Sequence, residues 1–276
     1  MANKYTTTEK MPPPKTVFVT LSDQMYLEKA QITLRELRTA GEWYGDTVLI
    51  TVDFDAPEEF LTKYSIQQHR VPHIDTSLLL KAYEKYPLSS DDNRHKGKLT
   101  QWDKFYVFSE YFRKWDRVLF MDAGMRIYKS IHILFTLPYK GKFLAPSGGD
   151  PYSEENRLST QIRDKENPEA AQALYTDYPQ ELFKKQDFLN GIFLYDTALL
   201  DIISITNMVA AMIKYPLCGC NEMTIMNLFF NIKYNVWERI PQKIGEQYIF
   251  NYSDMNFNRG EHLAPTDFIC LKYPSY

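Results

Sequence analysis

Short apolar runs alternate with amphipathic stretches over the first 65 residues of the chain. Val17–Leu21 and Thr47–Val52 are rich in β-branched residues, which predicts two buried strands. Between them, the apolar residues of Tyr26–Leu37 recur every three or four positions, as on one face of an amphipathic helix. A second helix is predicted next, with Asp55 as its cap and Pro57 in its first turn. This strand–helix–strand–helix order predicts a parallel sheet covered by helices.

The rest of the chain continues this alternation of strands and helices. Further strands are predicted from short apolar runs at Val71–Ile74, Arg117–Asp122, Lys142–Ala145 and Gly191–Tyr195. Helices are predicted at Leu99–Lys114, 198–213 and 222–232. Residues after about 245 show no clear period, so we expect irregular structure there. The sequence therefore predicts an α/β fold of one domain.

Two polar stretches stand apart from this pattern. Residues 1–15 contain three consecutive prolines, and they are predicted to be a flexible leader to a single domain at 16–276. Tyr152–Lys185 is polar and helix-prone, so it is predicted to be a helical insertion at about 152–185. No internal repeat is visible.

Composition excludes several classes of function. The chain has 276 residues and a net charge of −3, and its 32 Lys+Arg against 35 Asp+Glu leave no surplus positive charge for nucleic acid. No apolar run approaches the roughly 18 residues of a membrane span, so no integral membrane segment is expected. Cys218, Cys220 and Cys270 do not form a disulfide framework. Together with the lack of an N-terminal apolar signal, they predict a cytoplasmic protein.

Acidic residues directly follow two of the predicted strands. In open α/β sheets, ligands bind outside the carboxyl ends of the strands. Asp122 ends the strongest strand, where a carboxylate binds a divalent cation or a ribose hydroxyl, or caps the next turn. Asp53 and Asp55 have the D-x-D spacing of a metal site, but a capping role explains Asp55 better. No G-x-S-x-G motif supports a nucleophilic hydrolase.

Four segments, in order along the chain, carry a resemblance to a known family. They are Val19–Leu37 (VTLSDQMYLEKAQITLREL), Trp115–Ile131 (WDRVLFMDAGMRIYKSI), Phe188–Tyr195 (FLNGIFLY) and Asn221–Phe230 (NEMTIMNLFF). Together they resemble the GT-A glycosyltransferases of the glycogenin-like family 8. The resemblance implies a Rossmann-like GT-A fold, in which helices flank a mixed, mostly parallel central sheet.

The same resemblance implies an activity. It indicates a hexosyl- or pentosyltransferase that moves a sugar from a nucleotide-sugar donor, a UDP-sugar, to a hydroxyl of a carbohydrate or glycoconjugate acceptor, with retention of the anomeric configuration. Residues 16–135 then form the nucleotide-sugar-binding half, and residues 136–276 form the acceptor-side half.

Residues of the first two segments and of the C-terminus are implied to bind the donor. Those at the family's donor-binding positions are Thr20, Leu21, Tyr26, Asp122, Ala123, Gly124 and Lys272. In the family, a second aspartate stands at the position of Gly124, and the two aspartates hold Mn²⁺ on the diphosphate. With glycine at position 124, Asp122 alone of this pair would bind a Mn²⁺ or Mg²⁺ ion, and the metal site would be weak. Cys270 stands in the place of the family's metal-binding histidine.

Basic residues near the Asp122 strand offer another source of positive charge for the leaving diphosphate. Lys98, Lys104 and Arg126 lie close to this strand in sequence, and each is also explained as a solvated surface residue. Lys104 is the one that we assign to the donor site. A solely cationic site of this kind predicts a metal-independent transferase.

The third and fourth segments supply the acceptor side. Asn190 and Gly191 match the family's F-N-x-G motif, with the asparagine one position later. Glu222 stands at the family's acidic position beside the acceptor and the anomeric carbon, next to Asn221. We therefore expect Glu222 and Asn190 to be catalytic, and Asn190, Gly191 and Asn221 to bind the acceptor.

Two other functions stay open. Gly124 and the divergent C-terminus also suit a non-catalytic sugar-nucleotide-binding or scaffold protein. A nucleotidyltransferase that makes the sugar nucleotide has a similar sheet, but it carries a glycine-rich basic loop after the first strand. Ser22–Tyr26 (SDQMY) is neither glycine-rich nor basic, which argues against that activity.

Overall fold

The strands of the computed structural model, which describes residues 13–88, 97–148, 157–252 and 263–273, form two sheets. They are β1 (Thr16–Ser22), β2 (Asp46–Val52), β3 (Gln67–Val71), β4 (Arg117–Met121), β5 (Met125–Ile127), β6 (Phe143–Ala145), β7 (Ile192–Asp196), β8 (Trp237–Arg239), β9 (Lys243–Ile244), β10 (Gln247–Tyr252) and β11 (Phe268–Lys272). The central sheet has the order β3-β2-β1-β4-β7-β6-β8, and the smaller sheet has the order β5-β11-β10-β9.

The central sheet is mixed and mostly parallel, as predicted. Strands β1 to β4 run parallel to one another. Strand β7 runs antiparallel to both of its neighbours, β4 and β6, and β8 runs parallel to β6. The carboxyl ends of β1 to β4 therefore share one edge of the sheet with the amino end of β7.

Helices lie between the strands. The α-helices are α1 (Leu27–Arg38), α2 (Glu58–Tyr64), α3 (Ser77–Lys85), α4 (Pro168–Asp177), α5 (Ile205–Lys214) and α6 (Glu222–Asn227), and a π-helical turn covers Leu228–Lys233. The 3₁₀ segments are Gln24–Tyr26, Leu99–Phe108, Glu110–Lys114, Ile131–Thr136, Leu158–Gln161, Gln180–Lys184, Thr197–Asp201 and Pro265–Asp267. Helix α1 confirms the prediction at Tyr26–Leu37. Helix α3 was not predicted.

Apolar side chains cover both faces of the central sheet, because successive residues of a strand point to opposite faces. On β1, Val17 and Val19 belong to one buried cluster, whereas Phe18 belongs to the other, with the apolar stripe of α1. The first cluster is rich in aromatic rings. Phe143, for example, stacks on Phe230 with ring centroids 4.0 Å apart. The chain contains 20 Tyr, 17 Phe and 4 Trp, and many of these rings belong to this core.

The long helix predicted at Leu99–Lys114 is instead two 3₁₀ segments that meet at Ser109, whose backbone is extended. The reason lies in the spacing of the buried rings. Trp102, Phe105 and Phe108 are three residues apart, which is the repeat of a 3₁₀ helix and places them on one side. The prediction thus located the apolar segment correctly but assigned it the repeat of an α-helix instead of a 3₁₀ helix.

Two predictions near the second strand are also wrong in detail. Helix α2 begins at Glu58, after Pro57, and Asp55 does not cap it. Instead, the Asp55 carboxylate pairs with Arg70 at 2.7 Å, because β3 lies beside β2 and brings that arginine near. Strand β3 covers Gln67–Val71, so it ends where the predicted third strand was expected to begin.

The region after residue 245 is not irregular. Strand β10 pairs in parallel with β11, and β11 pairs antiparallel with β5, so Lys272 stands opposite Met125. Residues Phe268–Leu271 are buried. No local period announces such strands, because they are stabilised by partners far away in sequence.

The predicted domain organisation is only partly covered by the described residues. Residues 1–12 of the predicted leader and residues 152–156 of the predicted insertion lie outside them. The described part of the insertion contains α4 and 3₁₀ turns. The division into a donor half and an acceptor half stays a prediction. Within the described ranges, no helix has both the length and the apolar character needed to cross a bilayer.

Candidate active site

The candidate site lies at the edge of the central sheet where β4 ends and β7 begins. Met121 of β4 is paired with Ile192 of β7, because these two strands run in opposite directions. The next residue, Asp122, donates its backbone N–H to the carbonyl oxygen of Gly191 at 2.9 Å. Asp122 and Asn190 are therefore neighbours, although 68 positions separate them in the sequence.

The side chain of Lys104 links two carboxylates at this edge. Its Nζ lies 2.9 Å from Asp122 Oδ1 and 3.0 Å from Glu222 Oε1. It also donates to the backbone oxygen of Asn190 at 3.3 Å. These three partners match the three N–H donors of an ammonium group, and only 9% of the side chain is exposed. Lys104 is the centre of a largely buried ion network.

Glu222 begins α6, and its two carboxylate oxygens differ in their surroundings. Asn190 Nδ2 donates to Glu222 Oε1 at 2.9 Å, so that oxygen is shared between an amide and Lys104. Oε2 is buried and has no hydrogen-bond partner within the described part of the chain. Leaving a buried carboxylate oxygen unpaired is costly. The arrangement fits an oxygen that is kept for a ligand.

Asn221 holds α6 against the segment that carries Lys104. Its Nδ2 donates to Gln101 Oε1 at 2.9 Å and to the carbonyl oxygen of Lys98 at 3.3 Å. The backbone of Asn221 has a φ of 47°, which is rare outside glycine and places a sharp turn directly before Glu222. These contacts align the two segments whose charged residues meet.

Charge pairing outweighs burial in setting the pKa of Asp122 and of Lys104, whereas burial outweighs it for Lys272. Burial raises the pKa of Asp122, but Lys104 and Lys272 counter it, so the pKa lies below its ordinary value. Burial lowers the pKa of Lys104, but Asp122 and Glu222 raise it above its ordinary value. Burial lowers the pKa of Lys272, and the positive charges of Lys104 and Lys29 lower it further. Asp122 raises it by less, so the pKa of Lys272 lies below its ordinary value. Asp122 and Lys104 are therefore both charged at neutral pH.

Comparison with solved structures identifies the fold. The structure of galactosyltransferase LgtC, in complex with donor and acceptor sugar analogues, is 13% identical, with a TM-score of 0.58 over 94% of this chain and 87% of that one. Core-mannan synthase A from Aspergillus fumigatus, in its Mn/GDP form, is 9% identical, with a TM-score of 0.52 over 89% and 77% of the two chains. The chain has the GT-A fold.

The bifunctional glycosyltransferase WbbM is a further structure with this GT-A fold. It is 12% identical, with a TM-score of 0.58 over 97% of this chain. The present chain spans only 47% of the WbbM chain, so the match covers about half of that protein. No family model and no curated protein matches the sequence. The likeness is one of fold, and it confirms the predicted fold class.

A second lysine approaches Asp122 from the C-terminal strand of the GT-A fold. Lys272 Nζ donates to the backbone oxygen of Ala123 at 2.9 Å and lies 3.5 Å from Asp122 Oδ2. With Lys104 on Oδ1, each carboxylate oxygen of Asp122 thus has its own ammonium partner. The predicted donor residues Asp122, Ala123, Lys104 and Lys272 are brought together.

These residues do not fit a divalent cation. Gly124 has no side chain that could be a metal ligand, and both carboxylate oxygens of Asp122 already face ammonium groups. Cys270, expected in place of a metal-binding histidine, is fully buried, and its thiol donates to the carbonyl oxygen of Ile249. Burial also raises the pKa of that thiol, which disfavours a metal-binding thiolate. In the described ranges, no group of three or more His, Cys, Asp or Glu residues could hold a metal.

The predicted donor residues of β1 lie at the same edge. Strand β1 pairs in parallel with β4, with Val19 opposite Phe120, so Thr20 and Leu21 approach the edge beside Asp122. Thr20 Oγ1 is buried and has no hydrogen-bond partner among the described residues. Tyr26 is 40% exposed beyond the end of β1. The structure thus leaves an open aromatic surface where the donor base was expected.

The two other basic candidates have different roles. Arg126 pairs with Glu36 of α1, with 2.7 Å between Arg126 Nε and Glu36 Oε1. The backbone oxygen of Lys98 accepts from Asn221. Of these three residues, Lys104 is the one whose described contacts place its charged group in the ion network.

A histidine–aspartate pair that no sequence pattern indicated lies at the same edge. His73 Nδ1 lies 2.7 Å from Oδ2 of Asp103, the residue directly before Lys104 in the sequence. The backbone N–H of His73 donates to Asp53 Oδ2 at 3.0 Å. Burial raises the pKa of Asp103 despite its hydrogen bonds to Ile74 and His73. The D-x-D spacing did mark Asp53, but nothing in the sequence linked it to His73.

Gly124 has a φ of +83°, which L-residues with a side chain rarely adopt. We expect Gly124→Ala to lower the free energy of unfolding by about 1–2 kcal/mol, because a Cβ strains this backbone. Space alone does not forbid the change, since the new Cβ would meet Lys29 Cδ at an ordinary 3.4 Å. Urea denaturation measures the loss.

Gly97→Ala is the matched control, because no atom of the described residues lies within 4 Å of a Cβ there and its φ is not positive. We expect no loss of stability in that variant. Equal stability of the two variants would contradict the strain that we assign to position 124.

Proposed function

We propose that the protein is a glycosyltransferase that moves a sugar from a nucleoside-diphosphate sugar to a hydroxyl of a carbohydrate or glycoconjugate. The observation that carries this proposal is the ion network. Asp122, Lys104, Asn190 and Glu222 come from four separate segments, and they meet at the carboxyl edge of a GT-A sheet. Ligands of open α/β sheets bind at this kind of edge, where the strand order reverses.

The donor lies along the ends of β1 and β4 in this proposal. Its base rests near Tyr26, and its ribose and diphosphate pass Thr20, Leu21 and Asp122. During transfer, the bond between the anomeric carbon and the diphosphate oxygen breaks and a bond from the acceptor oxygen to that carbon forms. Negative charge develops on the diphosphate, which takes the proton of the acceptor hydroxyl as it leaves. Lys272 is positioned to stabilise this charge, because an ammonium group in a site of low water content interacts strongly with an anion.

Glu222 serves the reacting carbon. Lys104 and Asn190 both contact Oε1, so the carboxylate is fixed in one orientation while Oε2 has no partner among the described residues. A carboxylate held in this way stabilises positive charge at the anomeric carbon and orients the acceptor hydroxyl for attack.

We assign acceptor contact to Asn190 and Gly191, which directly precede β7. Asn221, the third residue predicted to bind the acceptor, is buried, and its side chain contacts Gln101 and Lys98 instead. We further propose a UDP-sugar donor, a hexosyl or pentosyl group, and retention of configuration.

The cysteines support a reducing compartment, and we place the protein in the cytoplasm on this ground. Cys218 and Cys270 are both buried, and no disulfide joins the three cysteines. Secreted proteins with cysteines usually pair them.

The experiment that tests the function is a thermal-shift screen of UDP- and GDP-sugars, followed by an assay of nucleotide release with and without sugar acceptors. A donor present at about 100 times its dissociation constant stabilises the fold by about 2.7 kcal/mol, which raises Tm by a few degrees. We expect a shift with one donor class and release of its nucleotide. A protein that neither shifts with any donor nor releases nucleotide would not be a glycosyltransferase.

One observation favours a second candidate, a sugar-nucleotide-binding protein without turnover. The charges of Asp122 are already balanced by Lys104 and Lys272, and position 124 is a glycine. The same screen separates the two functions. A donor that raises Tm but is neither hydrolysed nor transferred over a wide acceptor panel identifies the binding protein.

A further inference from the structure

Lys272 occupies the side of Asp122 that faces the smaller sheet. Its strand, β11, pairs with β5, which begins one residue after Gly124, and Lys272 stands opposite Met125 in that pairing. Sheet pairing therefore fixes the lysine backbone, and the contacts with Ala123 O and Asp122 Oδ2 fix its ammonium group. Only 21% of the side chain is exposed. The described contacts use two of its three N–H donors, which leaves one for an anion.

A third lysine takes up the space beside Gly124. A Cβ built on Gly124 would lie 3.4 Å from Lys29 Cδ and 3.5 Å from Lys29 Cβ, so the aliphatic stem of Lys29 packs where a side chain at position 124 would begin. Lys29 Nζ lies 4.9 Å from the centre of the Tyr26 ring. The half-buried Lys29 therefore stands between the exposed Tyr26 and the Asp122 loop.

Lysines predominate in direct contact with the Asp122 loop. Lys104 and Lys272 each contact one carboxylate oxygen of Asp122, and the stem of Lys29 packs beside Gly124. Such a site attracts an anion rather than a cation, and partial burial strengthens this preference. A divalent cation would have to displace an ammonium group from Asp122 and would find no second carboxylate at position 124.

We propose that Lys29 and Lys272 bind the diphosphate of the donor directly and that no divalent cation takes part in its binding. The proposal rests on the proposed function, because it names the groups that meet the leaving nucleoside diphosphate. Ammonium groups stabilise a departing diphosphate by charge and hydrogen bonding alone. Lys272 donates its remaining N–H to the diphosphate, and Lys29 supplies a second positive charge on the side of the base.

Isothermal titration calorimetry on the full chain tests this proposal, with UDP and GDP as probes in EDTA and then in excess Mn²⁺, and with inorganic pyrophosphate in EDTA. We expect one of the nucleotides to bind with the same dissociation constant, within about threefold, in both conditions. Lys272→Ala should weaken binding by about tenfold or more, since a hydrogen bond to a charged group is lost. Lys29→Ala, which leaves the Asp122 contacts intact, should weaken binding by several-fold. Lys81→Ala, an exposed change on α3, is the control and should bind as the wild type does.

The outcomes separate this proposal from the proposed function. Nucleotide binding that needs Mn²⁺, or that is unchanged in both the Lys272 and Lys29 variants, overturns the lysine site and leaves the glycosyltransferase in place. Pyrophosphate binding in EDTA without binding of any nucleotide supports the lysine site and overturns the proposed function. Absence of binding by all of these probes overturns both. Circular dichroism of each variant shows that it is folded, and the Lys29 variant decides the result if the Lys272 variant is not.

Discussion

Replacing Lys104 by methionine should lower the free energy of unfolding by about 3–5 kcal/mol, because two carboxylates then share a buried site without their common cation. Asp122 Oδ1 and Glu222 Oε1 both lie within 3.0 Å of the ammonium group that the substitution removes. Methionine keeps much of the aliphatic stem, so the loss reports charge more than packing. Urea denaturation at pH 7 measures the change.

Lys85→Met is the matched control on the surface. Lys85 pairs with Glu169 at 3.0 Å, but 64% and 73% of the two side chains are exposed. An exposed pair of this kind contributes at most about 1 kcal/mol. Similar losses in the two variants would show that the Lys104 network has no special part in stability.

The pH dependence of the Lys104 variant gives a second check. In the wild type, the pKa of Asp122 lies below its ordinary value because Lys104 and Lys272 outweigh burial. The stabilisation from that carboxylate is therefore present above its unfolded pKa and is lost as the pH falls. Without Lys104, the pKa of Asp122 rises relative to the wild type, because Lys272 alone then opposes the effect of burial. Protonation of Asp122 at low pH therefore recovers part of the stability that the variant loses. The difference between the two proteins should therefore shrink between pH 7 and pH 4.

Glu222→Gln should lower the rate of sugar transfer by about 10²–10⁴-fold while the fold survives. The amide oxygen of glutamine can still accept from Lys104 and Asn190, so the local contacts are kept. In the proposed mechanism, the change removes the carboxylate charge that stabilises the anomeric carbon. The measurement is kcat with the donor that the screen identifies, beside Tm for each protein.

Glu169→Gln is the control for this substitution, since Glu169 lies exposed on α4 and pairs with Lys85 rather than with any residue of the ion network. It should transfer sugar at the wild-type rate. A Glu222→Gln enzyme with nearly wild-type kcat would remove Glu222 from the catalytic residues.

The parts of the fold that were predictable are those with strong local patterns. Strands β1, β2 and β4 are continuous apolar runs, and the stripe of α1 repeats at helical spacing, so these four elements were located to within one or two residues. The 3₁₀ character of Leu99–Phe108 was not predictable, because rings spaced by three also suit the face of an α-helix. Strand β11 was missed because distant pairing defines it.

The site was predictable only in part, for the same reason. Asp122 was found because it follows a buried strand, and the segments of Asn190 and Glu222 were found through their resemblance to a family. Their contact through Lys104 depends on three-dimensional neighbours. Lys29 and His73 had no signal of their own, because a lone lysine on a helix or a lone histidine after a strand looks like many surface residues.

The pairing of β11 with β5 also sets the order in which the site can be completed. Ala123 and Lys272 touch across 149 positions of sequence, so during synthesis the Asp122 loop exists long before its last partner. A nascent chain, or one cleaved by a protease before Phe268, contains the four parallel strands and Lys104 but lacks Lys272. The site is therefore complete only after the chain has been synthesised through β11.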